Sequence, residues 1–169
     1  TMKVTETDLR GVMLIEPHSF GDERGYFMET WNESRYRSLN IPARFVQDNL
    51  SFSKKGVLRG LHFQNPKPQG KLVSVLQGEV FDVVVDLRME SPTFKKWWGT
   101  NLSSANRKQV FISPGFAHGF LVMSETALFF YKCTEFYSPE SEITLLWNDS
   151  EIGIKWPTRK PIVSERDGK

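Results

Sequence analysis

The sequence predicts an all-β fold, a sandwich or jelly roll carrying one or more short helices, and three observations support this. Hydrophobic residues recur with period two along most of the chain, and little of it sustains a helical period for more than two turns. Twelve glycines and 9 prolines fall mainly between the alternating runs, where a chain of strands must turn. Finally, 13 phenylalanines, 5 tryptophans and 4 tyrosines supply the bulk to fill a core between two sheets.

Taken in order, the first distinctive element is Asn32 to Leu39, which reads as a helix with Asn32 as N-cap and Tyr36 and Leu39 spaced to touch the core. Arg59-Gly60-Leu61-His62-Phe63-Gln64 is strand-like but interrupted by a glycine. On a regular pleat Arg59 and His62 point to opposite faces, so a bulge or kink at Gly60 is expected if both serve one site. Lys71 to Leu76 and Val80 to Leu87 read as a hairpin through Gln77-Gly78-Glu79, where Gly78 can take the positive φ of a tight turn. The second of these strands reads as half-buried, with Phe81, Val83, Val85 and Leu87 on one face and Asp82, Val84 and Asp86 on the other. Pro114-Gly115 breaks the chain, and Phe116 to Met123 then reads as a second hairpin with Ala127 to Thr134 through Ser124-Glu125-Thr126.

A chain of 169 residues, 39% hydrophobic and 25% charged, predicts a single domain over residues 1–169. The formal charge of +2 sets up no field that would hold nucleic acid, so an anion would have to be gripped locally. With Cys133 alone, no intrachain disulfide can form and a cysteine-based zinc site lacks ligands. Thr1 to Gly11 is too polar for a secretory signal and no apolar run approaches membrane-spanning length, which predicts a soluble, cytoplasmic protein.

The three histidines separate by context. His18 lies among turn residues and reads as a solvated loop imidazole. His62 alone would read as a satisfied core histidine. Its neighbours alter that reading: Arg59 and Lys71 add cations, and Gln47, Asn49 and Gln64 add amides, to segments that would otherwise be apolar. Polar groups on core strands need partners, and a ligand is one candidate. His118 shares its face with Phe116, Phe120 and Val122, which points it inward, either hydrogen-bonded in the core or lining a cavity. Tyr131 shares an inward face with Phe129 and Cys133, and its hydroxyl needs a partner. A jelly-roll metal site would need closely spaced histidines. Gly60 and Gln64 occupy the same-face positions beside His62, so no metal is expected.

Seven stretches together closely resemble the dTDP-4-dehydrorhamnose 3,5-epimerase family: Asp22 to Glu29, Gln47-Asp48-Asn49, Val57 to Gln64, Gln69-Gly70-Lys71, Pro114 to Phe120, Tyr131-Lys132 and Ser164 to Asp167. The likeness runs in order from about Gly11 to Asp167. It implies a cupin-type jelly roll, a homodimer, and action without metal or organic cofactor on a dTDP-linked 4-keto-6-deoxyhexose. By position, His62 resembles the family's general base, Asp167 the carboxylate that orients it, and Tyr131 the general acid on the opposite sugar face. Arg59, Lys71 and His118 match residues around the sugar and diphosphate. Arg24, Glu29, Gln47, Asp48, Asn49 and Glu142 match nucleotide and pocket contacts, some of them crossing the dimer interface. Arg166 stands where the family pattern has lysine, keeping the charge but changing the hydrogen-bond geometry. An enolate formed beside the ketone needs a cation or donor already in place; Lys71 is the first candidate and His118 the second. Arg59 and Arg24 are the forked cations suited to a diphosphate.

Overall fold

The computed structural model describes residues 1–41 and 43–169. Its strands are, in chain order, β1 (Lys3–Glu6), β2 (Val12–Glu16), β3 (Ser19–Asp22), β4 (Gly25–Met28), β5 (Gln47–Lys54), β6 (Leu58–Gln64), β7 (Lys71–Gln77), β8 (Glu79–Asp86), β9 (Trp97–Ser103), β10 (Gln109–Ile112), β11 (Phe116–Val122), β12 (Thr126–Cys133) and β13 (Glu142–Thr144). Among the described residues there is one α-helix, α1 (Glu33–Ser38), after β4, and a single 3-10 turn over Pro139–Ser141 leads into β13. A six-stranded sheet runs β1-β2-β10-β7-β12-β5 and a five-stranded sheet β13-β6-β11-β8-β9, while β3 and β4 form a separate hairpin. This is the expected all-β jelly-roll sandwich. Among the described residues no helix is long and apolar enough to cross a membrane.

The inner faces of the two sheets meet in one apolar cluster. Val73, Val75 and Phe129 come from the first sheet, and Val80, Val84, Phe116, Phe120 and Val122 from the second. The rings of Phe120 and Phe129 stack across the interface at 4.0 Å between centroids. Each such side chain removed from water contributes about 1.5–3 kcal/mol, and the pair fixes the spacing of the walls at one end of the sandwich.

Both expected hairpins are corrected by the topology. β7 lies in the six-stranded sheet and β8 in the five-stranded one, and β11 and β12 are divided in the same way. Gly78 does take a positive φ, of 88°, but the turn it makes is a corner between sheets. The two corners pack on each other. The Glu79 N–H donates to Ser124 Oγ at 2.8 Å, the Ser124 hydroxyl donates to the Thr126 carbonyl at 2.6 Å, and a Cβ on Gly78 would stand 2.2 Å from that same carbonyl. A turn signal marks where the chain reverses and leaves open which sheet it enters.

The half-buried reading of β8 is also corrected, because both of its faces are covered. Val80 and Val84 face the other sheet, whereas Val83 and Val85 pack with Leu61 and Ala117 beneath Leu145, Ile152, Ile154 and Trp156. The covering segment lies some sixty residues further along the sequence, beyond the reach of local alternation. Helix α1 forms as expected. The Asn32 side chain accepts from the Arg35 N–H at 3.0 Å, and Tyr36 is buried over the outer face of the six-stranded sheet with Ile15, Leu72 and Phe111. There the Tyr36 hydroxyl donates to Gln109 Oε1 at 2.8 Å, and burial pushes its pKa up to about 12.

The expected irregularity at Gly60 is present. Gly60 has φ of 116°, and the β6–β11 register shifts between His118 and Phe120. A Cβ there would come within 2.7 Å of Gly119 Cα and His118 O, so a side chain is excluded by backbone on the neighbouring strand. The kink lets Arg59 and His62 reach the same side of the sheet.

Candidate active site

At the end of the sandwich away from the Gly78 corner, polar residues replace the apolar core and leave a cavity of about 390 Å³ between the inner faces. His62 on β6 and His118 on β11, paired in register, belong to one wall. Lys71 on β7, Tyr131 on β12 and Gln47 and Asn49 on β5 belong to the other. Stacked sheets stand roughly 10 Å apart, a gap that accommodates one sugar ring between two side chains.

His62 is held by the C-terminal segment. Its Nε2 lies 2.7 Å from Asp167 Oδ1, and Asp167 Oδ2 accepts the Gly60 N–H at 3.1 Å. The segment is itself anchored. Ile162 bridges Val57, with the Leu58 N–H donating to the Ile162 carbonyl at 2.9 Å, and the Asp167 N–H donates to Ser164 Oγ at 3.1 Å. Asp167 is 5% exposed. Burial pushes its carboxyl upward, but the hydrogen bonds from His62 and Gly60, with the charges of His62 and Arg166, outweigh this and hold it below the usual carboxylate range. It is therefore ionised at neutral pH, and the stability this contributes is lost only on acidification through that lowered value. The kink at Gly60 also turns a strand N–H toward this carboxylate.

On the facing wall Lys71 is 8% exposed, and its ammonium lies 5.4 Å from the centroid of the Tyr131 ring. Burial pushes the lysine pKa down, opposed by the neighbouring Cys133 thiol and Asp82. Burial likewise raises the Tyr131 phenol, opposed chiefly by the Asn49 amide, so the phenol is protonated and able to donate across the neutral range. Cys133, two residues on, is buried beside Lys71, and its thiol is pushed up to about 11, which keeps it protonated.

His118 both hydrogen-bonds in the core and lines the cavity, so the two readings left open by sequence hold together. Its Nε2 lies 2.6 Å from Oδ1 of Asp82, which is fully buried, and its ring stacks on Phe129 at 5.7 Å. Arg59 extends along the rim, donating from Nε to Ser53 Oγ at 2.8 Å. Glu142 on β13 and Arg166 beside Asp167 form an ion pair with each other at the mouth.

Ten of the expected residues thus line one cavity: His62, Tyr131, Asp167, Lys71, Gln47, Asn49, Arg59, His118, Glu142 and Arg166. Three do not. Asp48 lies between Gln47 and Asn49 on a pleated strand, points to the outer face and pairs with Lys132 at 2.9 Å. Arg24 sits at the tip of the exposed β3–β4 hairpin, paired with Asp22 at 2.6 Å. Glu29 faces a separate surface cavity and pairs with Arg35 at 2.8 Å. Conversely, Ser51 and Tyr137 line the site and Asp82 supports it, none of them anticipated as site residues. Period-two alternation from Gln47 and Asn49 points to Ser51 on the same face, whereas only the partner strand reveals Asp82. Among the described residues no group of three His, Cys, Asp or Glu side chains gathers to hold a metal.

The comparisons with known proteins agree with this geometry. A family model described as dTDP-4-dehydrorhamnose 3,5-epimerase matches residues 6–169. The chain is 53% identical over 165 residues to the dTDP-4-dehydrorhamnose 3,5-epimerase of Methanothermobacter thermautotrophicus, covering 96% of this chain and 89% of that one. It is 53% identical over 169 residues to the enzyme of the same name from Salmonella typhimurium, covering 98% and 92%. Among solved structures, dTDP-6-deoxy-D-glucose-3,5-epimerase from Legionella pneumophila in complex with dTDP-4-keto-L-rhamnose superposes with a TM-score of 0.95 at 51% identity, covering 99% and 90%.

Proposed function

The chain belongs to the dTDP-4-dehydrorhamnose 3,5-epimerase family, and from that premise we propose that His62 and Tyr131 act as base and acid on opposite faces of the bound sugar. The enzyme is an isomerase that inverts C3 and C5 of dTDP-4-dehydro-6-deoxy-D-glucose to give dTDP-4-dehydro-L-rhamnose. The observation that carries the assignment of roles is the placing of an imidazole and a phenol on facing sheets of one cavity with a buried ammonium beside the phenol.

Each step follows from what these side chains can do. Protons on C3 and C5 are acidified by the C4 ketone, and His62 offers an imidazole nitrogen on one side of the cavity as the general base to take one. Asp167 holds the ring and stabilises the imidazolium as it forms. Negative charge collects on the C4 oxygen, where Lys71 supplies a positive charge that needs no reorganisation. The new proton comes to carbon from the other face. Tyr131 delivers it as a neutral phenol and is reprotonated from solvent. One proton leaves and one arrives, no electron changes hands, and the proposal includes no metal or organic cofactor.

Arg59 is the forked cation on the rim for the diphosphate. We place a homodimer in the same proposal. Leu50, Phe52 and Leu76 leave an apolar band on the outer face of the six-stranded sheet, and Arg24 and Glu29, distant from their own cavity, would then serve a partner's. A cytoplasmic setting accords with a lone buried thiol. The test is incubation with dTDP-4-keto-6-deoxyglucose in deuterated water, followed by NMR. Deuterium should enter C3 and C5 with inversion at both. Label at one carbon would reduce the enzyme to a single-site epimerase, and label at neither would overturn the proposal.

A further inference from the structure

Among the buried titratable groups that the proposed mechanism leaves unused, Asp82 is the one bonded to a cavity-lining histidine. Asp82 is fully buried between valines on β8, it bonds His118 Nε2 through Oδ1 at 2.6 Å, and its Oδ2 has no hydrogen-bond partner among the described residues. Most buried polar atoms in a core have a hydrogen-bond partner, because an unpartnered one destabilises the fold. A group kept in this condition beside a reaction cavity is a functional candidate.

We propose that Asp82 is a positioning residue that fixes His118 as a neutral imidazole with its proton on Nε2, so that Nδ1 faces the sugar as a hydrogen-bond acceptor. Resting on the epimerase reading, this gives His118 a different task from Lys71. It accepts a hydrogen from a sugar hydroxyl and leaves the C4 oxyanion to the lysine. An ionised Asp82 can only accept, which forces the proton onto Nε2. A second proton on the ring is opposed from all sides: by burial, by Lys71 on β7 and by His62 on β6, and only Asp82 favours it. The remaining titratable groups of the cavity are Arg59 on the rim, Tyr131 on β12, Tyr137, the Glu142–Arg166 ion pair at the mouth, and Asp167, which is bonded to His62, while Cys133 is buried outside the lining as a neutral thiol. The unpartnered Oδ2 needs no extra ligand, since the nearby charge of Lys71 balances the carboxylate.

The experiment reads the tautomer directly. Protein labelled with ¹⁵N-histidine is followed by long-range ¹H–¹⁵N NMR without substrate, so its result is independent of whether the epimerase assignment holds. The expected spectrum shows His118 neutral with Nε2 protonated and unchanged between pH 6 and 8, roughly the range in which an unperturbed histidine titrates. A doubly protonated ring or an Nδ1–H tautomer would overturn the proposal. In Asp82→Asn, the side-chain amide can donate to Nε2 and move the proton to Nδ1. The tautomer should then invert and kcat/KM fall by about 10- to 100-fold, as for other carboxylates that orient a functional histidine, while binding of dTDP alone stays at the level of the unmodified enzyme. An unchanged tautomer, or a loss of dTDP binding equal to the loss of activity, would show that Asp82 only supports the fold.

Discussion

His62→Asn should remove solvent exchange at both C3 and C5. A positioned general base contributes about 10²–10⁴-fold, and His118 on the same wall does not replace it, because Asp82 holds that ring with Nδ1 directed at a sugar hydroxyl in the proposal above and not at a carbon. The loss should be in kcat. Asparagine retains an amide that Asp167 can accept, and Asp167 keeps the Gly60 N–H, so the C-terminal segment stays anchored. The bound nucleotide should be held as before. Residual exchange at one carbon but not the other would mean that the two carbons have separate bases, contrary to a single imidazole serving both.

Lys71→Met should lower kcat by about 10²–10³, or about 3 kcal/mol, the usual value of one preorganised oxyanion partner. Methionine preserves the unbranched stem and removes the charge. Both enolates carry their negative charge on the same C4 oxygen, so exchange at C3 and C5 should fall together. The effect on stability should run the other way. Burial disfavours the ammonium in the folded protein, and replacing a desolvated cation with an apolar group of similar volume commonly leaves a protein as stable or more so. A thermal melt unchanged or raised, alongside a large loss of kcat measured with the dTDP-sugar, is the expected pattern. A matching fall in both would instead assign Lys71 to the fold.

What is legible in the sequence follows the reach of the physics involved. The pleat is local, and so period-two alternation alone places Phe116, His118 and Phe120, or Phe129 and Tyr131, on inward faces. The same reasoning finds the kink at Gly60 from the mismatch between Arg59 and His62. Sheet membership is nonlocal. Gly78 and Ser124 mark two reversals correctly, yet nothing within a few residues of either distinguishes a hairpin from a corner between sheets, and the two corners stabilise each other across 45 residues. The outer cover of β8 and the role of Asp82 are hidden for the same reason, since their partners lie on other strands. Asp48 marks the limit of a single-chain reading. The resemblance takes Gln47, Asp48 and Asn49 as a block, whereas alternation requires the middle residue to face away.

Proton removal and proton delivery come from opposite walls, and Tyr131→Phe in deuterated water tests this central claim most directly. The phenyl ring retains the packing against Phe129 and Lys71 but cannot donate. With His62 intact, hydrogen on C3 and C5 should still exchange with solvent from the face it left, so deuterium accumulates in unepimerised substrate while inverted product becomes scarce. Exchange and inversion falling in equal measure would contradict the account and remove the reason for assigning the acid to the opposite sheet.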